Sequence, residues 1–235
     1  MTKENNLIRS FGRIKCRQLS AAKQDLIDNI LPQYEIQIKE NQKINPSSLF
    51  DANITQYNLE IGFGYGDFLS QKLSNQNQGF IACETHVNGI AAFLNKINKP
   101  RLHNNLKIYS NDVRILLESL ENNSLDQIYI LFPDPWPKVK HHKRRLINQD
   151  FLNILSTKLK SKGRLLIVSD HDDYQSWIIK HLHVNKNFSW LAKNSADFKN
   201  PPTCWPSKDF KTKYQQKAAL KNHQIRYFLF QNEKN

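Results

Sequence analysis

From Asn53 onward the chain alternates short apolar runs with longer stretches in which apolar residues recur every three or four positions. The runs are Tyr57 to Ile61, Phe80 to Cys83, Leu106 to Tyr109, Ile128 to Phe132 and Leu165 to Val168. Each has the length of a buried strand and is bounded by polar or turn-forming residues. In the intervals, Val87, Ile90, Ala91 and Leu94 share one helical face, and Ile147, Phe151, Leu152, Leu155 and Leu159 share another. Asp172 to His183 predicts one more crossover helix, and Phe188 to Ala192 and Ile225 to Phe230 predict two further strands. Strands alternating with helices in this way make βαβ units, so the pattern predicts an α/β fold built on a mostly parallel sheet.

Residues 1–50 lack that alternation. They are polar and rich in Asn, Gln and Lys, with one candidate helix over Ala21 to Ile30 that ends at Leu31-Pro32. The expectation is a basic, partly mobile N-terminal arm, including Arg9, Arg13, Lys15 and Arg17, followed by one domain over residues 51–235. The 235 residues carry 34 Lys and Arg against 21 Asp and Glu, a net charge of +13. That imbalance points to a polyanion, with nucleic acid ahead of an anionic membrane surface. No apolar run is long enough to span a bilayer and the N-terminus lacks a signal-peptide core, which predicts a cytoplasmic protein. Cys16, Cys83 and Cys204 are odd in number and widely spaced, arguing against a disulfide framework and against a metal site.

Each of the five apolar runs has an acid at or just beyond its C-terminal end: Glu60, Glu84, Asp112, Asp134 and Asp170. In a parallel sheet those ends share one edge, where ligands bind, so the acids should rim one crevice. Taken singly, such an acid is more often a loop residue or a helix cap, and Asp112 is well placed to cap the helix that follows. The first run leads into Leu59-Glu60-Ile61-Gly62-Phe63-Gly64-Tyr65-Gly66, which opens a helix near Asp67. Its GxGxG spacing differs from the dinucleotide fingerprint and from the phosphate loop. Glu84 could accept from both hydroxyls of a ribose. Glu60 would repel a pyrophosphate but suits the ammonium end of S-adenosylmethionine, and Asp112 could receive the adenine amino group.

The run "LFPDPWPKVKHHKRR" stops a strand at three prolines and then concentrates positive charge. The prolines prevent both a continued ladder and an immediate helix, which fixes Asp134 in a rigid turn at the sheet edge. Beyond it lie Lys138, Lys140, Lys143, Arg144 and Arg145, with His141 and His142 between them, a cluster suited to phosphate contact. Trp136 can stack on a base or pack beneath the loop.

"LEIGFGYG", "CETH", "NDV", "FPDPWPK", "HKRR", "VSD" and "TKYQ", in that order, resemble the bacterial tRNA (guanine-N7)-methyltransferases of the TrmB type; "RSFGR" and "LPQY" fit as well. The resemblance implies a Rossmann-like class I methyltransferase fold, with a mostly parallel seven-stranded sheet covered by helices on both faces. It implies S-adenosylmethionine as methyl donor, no metal, and N7 of guanine 46 in the tRNA variable loop as acceptor. Glu60, Gly62, Gly64, Gly66, Glu84, Asp112 and Asp134 are then cofactor contacts, and Asp134 is also catalytic. Lys138, Asp170, Thr212, Lys213, Tyr214 and Gln215 join the basic run as substrate contacts. Gln215 stands where the family carries glutamate. Two other readings stay open: a base-amino RNA methyltransferase, and a non-catalytic cofactor-binding subunit that binds tRNA.

Overall fold

The five apolar runs pair as parallel strands: β1 (Gln56–Ile61), β2 (Gln78–Cys83), β3 (Leu106–Tyr109), β4 (Leu125–Leu131) and β5 (Leu159–Ser169). This is a computed structural model, which describes residues 18–97 and 103–234. Two further strands, β6 (Phe188–Trp190) and β7 (Arg226–Asn232), complete one seven-stranded sheet of order β3-β2-β1-β4-β5-β7-β6. β7 runs antiparallel to both of its neighbours. The helices are α1 (Ala21–Asp25), α2 (Asp67–Lys72), α3 (Val87–Ile97), α4 (Val113–Ser119), α5 (Gln149–Lys158), α6 (Asp172–Val184), α7 (Ser195–Lys199) and α8 (Lys213–Leu220). The chain has the expected Rossmann-like α/β fold, mostly parallel and covered on both faces.

The period of two along each strand sorts the core. Leu59, Ile61, Ile81, Ile128, Ile130, Leu165 and Ile167 face α4, α5 and α6. Phe80, Ala82, Ile108, Tyr129, Leu131, Leu166 and Val168 face α2, α3 and the N-terminal helix. Both faces are therefore apolar, as a parallel sheet buried between helical layers requires. β1 and β4 are adjacent although the chain visits β2 and β3 between them. Strand order reverses there, and the loops leaving β1 and β4 open a crevice at the carboxyl edge.

Four boundaries depart from the sequence pattern. Leu159, expected on the face of a helix, opens β5, which begins well before Leu165. Phe132 lies outside β4 because its φ of 52° turns the chain out of the ladder. The sixth strand ends at Trp190 rather than Ala192. The last begins at Arg226 and runs on to Asn232. The N-terminal helix also continues past Leu31-Pro32: α1 passes through a π turn (Leu26–Ile30) into a 3-10 turn (Leu31–Gln33). Pro32 sits in the first turn of the latter, where its missing N–H is not needed.

Residues 18–50, expected as part of the arm, are docked on the sheet. Leu26, Leu31 and Tyr34 are buried beside α3. Ile36 N–H donates to Ile108 O (2.8 Å) and Ile108 N–H to Tyr34 O (2.9 Å), which covers the outer edge of β3. Cys16 and the basic residues Arg9, Arg13, Lys15 and Arg17 lie outside the described residues.

Gly66 caps α2 with φ 65°, and a Cβ placed there would come within 2.1 Å of Phe93 Cδ2. Gly66→Ala adds left-handed strain to a steric overlap with a buried ring, and about 2–4 kcal/mol of stability should be lost. Urea unfolding would measure it, and a loss under 1 kcal/mol would show that α2 and α3 can separate.

Candidate active site

The crevice between the β1 and β4 loops is a cleft of about 540 Å³. One wall is the glycine loop, where Gly62, Gly64 and Gly66 all take positive φ (74°, 56° and 65°). A Cβ on Gly62 would meet nothing within 4 Å, so the backbone there is open to an approaching ligand. Glu84, just beyond β2, braces the loop: its carboxylate accepts from Gly64 N–H, Thr85 N–H and His86 N–H, each at 2.8 Å. Oε2 takes only one of these three bonds, so it keeps acceptor capacity toward the cleft.

The opposite wall is the loop Phe132–Trp136. Phe132 and Trp136, with φ of 52° and 41°, stand in the left-handed region on either side of Pro133-Asp134-Pro135. For bulky residues this costs about 1–3 kcal/mol each and persists only when surrounding contacts enforce it. Those contacts are visible. Phe132 N–H donates to Val168 O (2.8 Å), and its ring stacks on Tyr214 at 5.5 Å and 14°. The Arg144 guanidinium lies 4.9 Å over the Trp136 ring, with His141 edge-on to it. Arg145 Nε donates to Pro135 O at 2.8 Å. Asp134, held between two prolines, is exposed and lines the cleft.

Gly62, Gly64, Glu84, Asp112, Asp134, Lys143, Arg144 and Tyr214 thus meet around one cleft. Asp112 also serves α4: it accepts from Arg114 N–H (3.0 Å) and pairs with the Arg114 guanidinium. Partial burial, which would raise its pKa, is outweighed by those Arg114 contacts, and the carboxyl titrates below its ordinary value. Lys138, Lys140 and Lys143 are exposed around the short 3-10 helix Val139–Arg144, with His141 and His142 half-buried there.

Several expected contacts are placed differently. Arg145, read as a phosphate ligand, is 2% exposed. Its guanidinium pairs with Asp173 and lies 5.1 Å and 4.8 Å from the rings of Tyr174 and Trp177. It straps the Pro135 carbonyl from within and presents no charge to solvent. Thr212 and Gln215 are buried too, as the reciprocal capping box of α8: Thr212 N–H donates to Gln215 Oε1 (2.7 Å) and Gln215 N–H to Thr212 Oγ1 (3.2 Å). Gln215 Nε2 also donates to the Tyr227 hydroxyl (2.7 Å). Glutamine uses both ends of its amide here: Oε1 accepts and Nε2 donates. Asp170 faces His223 at 3.3 Å outside the cleft wall. Glu60 is 2% exposed, behind the glycine loop, and its Oε2 has no hydrogen-bond partner.

Residues that the sequence reading passed over also line the cleft, among them Tyr65, His86, Gly89, Asn111, Arg114 and Asp150. Gly89 did leave a signal, since a glycine inside a helical pattern is costly without a reason. A Cβ there would approach Gly64 O to 2.7 Å, so α3 can press against the loop only because residue 89 has none. The open backbone at Gly62 and the Glu84 and Asp112 carboxylates beyond β2 and β3 fit a cationic, ribose-bearing cofactor such as S-adenosylmethionine, whereas Glu60 lies outside the cleft wall.

Comparison with known proteins agrees with this geometry. A family model described as "Putative methyltransferase" matches residues 55–228. The tRNA (guanine-N(7)-)-methyltransferase of Bartonella henselae is 36% identical over 94% of this chain and 94% of its own length. That of Paramagnetospirillum magneticum is 35% identical over 94% and 92%. Among solved structures, an rRNA methylase from Streptococcus thermophilus shares the fold with a TM-score of 0.51 at 9% identity, covering 80% of this chain and 92% of that one.

Burial, helped by the nearby Glu84 and Asp67 carboxylates, pushes the Glu60 carboxyl up to about 8. The folded protein then holds a proton that the unfolded chain releases near 4.5. Stability should therefore fall as pH rises from about 4.5 to 8 and level off above. Glu60→Gln should remove this component, leaving the variant more stable than the parent by up to roughly 5 kcal/mol at pH 9 and close to it at pH 5. Urea unfolding from pH 5 to 9 measures the difference; a pH-independent difference would show that Glu60 keeps its ordinary pKa.

Proposed function

The chain belongs to the tRNA (guanine-N(7)-)-methyltransferase family, and from that premise we propose that it transfers a methyl group from S-adenosylmethionine to N7 of a guanine in tRNA, guanine 46 of the variable loop. The observation that carries this reading is the rigid Pro133-Asp134-Pro135 turn facing the glycine loop across a single cleft.

When bound, S-adenosylmethionine supplies an electrophilic methyl group on a sulfonium. Gly62 and Gly64 provide backbone that can be approached closely, and Glu84 Oε2 would accept from a ribose hydroxyl. Guanine N7 carries an in-plane lone pair and no proton, so the chain need not supply a base at that atom. The N7–methyl bond forms as the sulfur–methyl bond breaks, and positive charge passes to the purine. Asp134 acts on that charge, either directly or by accepting from guanine N1–H and its amino group, donors that adenine does not present together. Tyr214, 45% exposed, stacks on Phe132 and carries the Lys217 ammonium 5.5 Å over its ring, and it lines the cleft where the base would enter. Lys138, Lys140 and Lys143 hold phosphates at the mouth of the cleft.

Incubation with unmodified tRNA and methyl-labelled S-adenosylmethionine, followed by digestion and nucleoside mass analysis, should yield labelled 7-methylguanosine. A different methylated nucleoside would overturn the acceptor assignment. Asp134→Ala should lower kcat by roughly 10²–10³-fold while S-adenosylhomocysteine affinity, measured calorimetrically, stays nearly unchanged. Retained turnover would remove Asp134 from the mechanism. Lys140→Glu and Lys143→Glu should each flatten the dependence of log K on log salt for tRNA binding by about 0.7–0.9.

A further inference from the structure

A second cleft of about 500 Å³ opens beside the first, between the N-terminal helix and α3. Ala22, Leu26 and Ala92 form an apolar floor, and Lys23, Lys96 and Lys213 stand around it; among the described residues no acid lines it. Tyr65 joins the two clefts. It lines the catalytic one, its carbonyl accepts from Lys96 Nζ (2.9 Å), and Lys213 Nζ lies 4.9 Å over its ring. Asp67, just outside, pairs with Lys96 and accepts from Lys213 N–H, so it neutralises one of the three charges. The ammonium groups of Lys23, which also donates to Asn88 Oδ1 at 3.3 Å, and Lys213 remain to act outward.

We propose that this groove binds the sugar–phosphate backbone of tRNA on one flank of the target nucleotide. The inference rests on the tRNA reading above. A guanine inside the catalytic cleft belongs to a polymer that must leave in both directions. On the β4 side the chain meets Lys138, Lys140 and Lys143. On the β1 side, the surface continuous with the cleft past Tyr65 is this groove, with two cations for phosphates and apolar floor for a ribose. The groove therefore sets how tightly the tRNA body is held, whereas the β4 loop acts on the base.

The test is tRNA binding by fluorescence anisotropy from 50 to 200 mM salt for Lys23→Glu, with Lys23→Met to separate lost charge from added repulsion. Lys186→Glu, at an exposed lysine beyond the far end of α6, makes the same change in net charge. Both Lys23 variants should flatten the log K against log salt slope by about 0.7–0.9, with S-adenosylhomocysteine affinity unchanged and the Lys186→Glu slope equal to that of the parent. Equal slopes for Lys23→Glu and Lys186→Glu would overturn the groove, and so would a parental slope in both Lys23 variants. If the parent protein still forms 7-methylguanosine, either result refutes this inference alone; a parent that neither binds nor methylates tRNA would refute the function on which it rests.

Discussion

The buried guanidinium of Arg145 is the contact on which the β4 loop depends. Pro133 and Pro135 contribute few hydrogen bonds of their own, and Phe132 and Trp136 occupy backbone conformations that bulky residues avoid. One side chain gathers these parts. Its Nε takes the Pro135 carbonyl, its Nη2 takes Asp173 at the start of α6, and its planar face lies against Tyr174 and Trp177. Lysine, with one compact ammonium, could not make a directed bond to a carbonyl while stacking on two rings. A basic run that looks uniform in sequence is thus divided by burial. Its last member organises the loop, and its exposed members face outward.

The facing wall follows a different economy, resting on missing side chains. Three glycines in the left-handed region let the chain turn from β1 into α2. Gly89 lets α3 come down on the loop, and the carboxylate of Glu84 ties the loop to the end of β2 through three backbone N–H groups. A Cβ at Gly66 or Gly89 would drive α3 away and loosen the wall that shapes the cleft. Rigid placement of both walls across the β1–β4 switch suits a displacement in which geometry and charge stabilisation carry the rate, with no proton to be removed from the nucleophile.

Charge on this protein is arranged around that cleft. Lys138, Lys140 and Lys143 stand on one side of it, Lys23 and Lys213 on the other, and Tyr65 and Tyr214 lie between. Glu60 stands apart, buried beneath the glycine loop with one oxygen unpartnered. Its burial makes the folded state sensitive to pH in a range where exposed carboxylates have finished titrating.

The sequence by itself determined the sheet and its edge. The five apolar runs, the helix-period segments between them and the acids at the run ends are local features of the chain, read without knowledge of distant contacts. GxGxG and Pro-Asp-Pro were legible for the same reason, since backbone freedom and its absence are written in single residues. Tertiary structure alone decided which of the marked residues can reach a ligand. Arg144 and Arg145 are neighbours of one type on the same cleft wall, yet one is half-buried over the Trp136 ring and the other is 2% exposed, bonded to the Pro135 carbonyl. Gln215, a departure from the family pattern, is the capping partner of Thr212 and the donor to Tyr227. Lys23, unmarked in sequence, meets Lys213 across a groove because α1 docks on α3. Exposure and through-space partnership depend on contacts between distant segments, and no local pattern carries them.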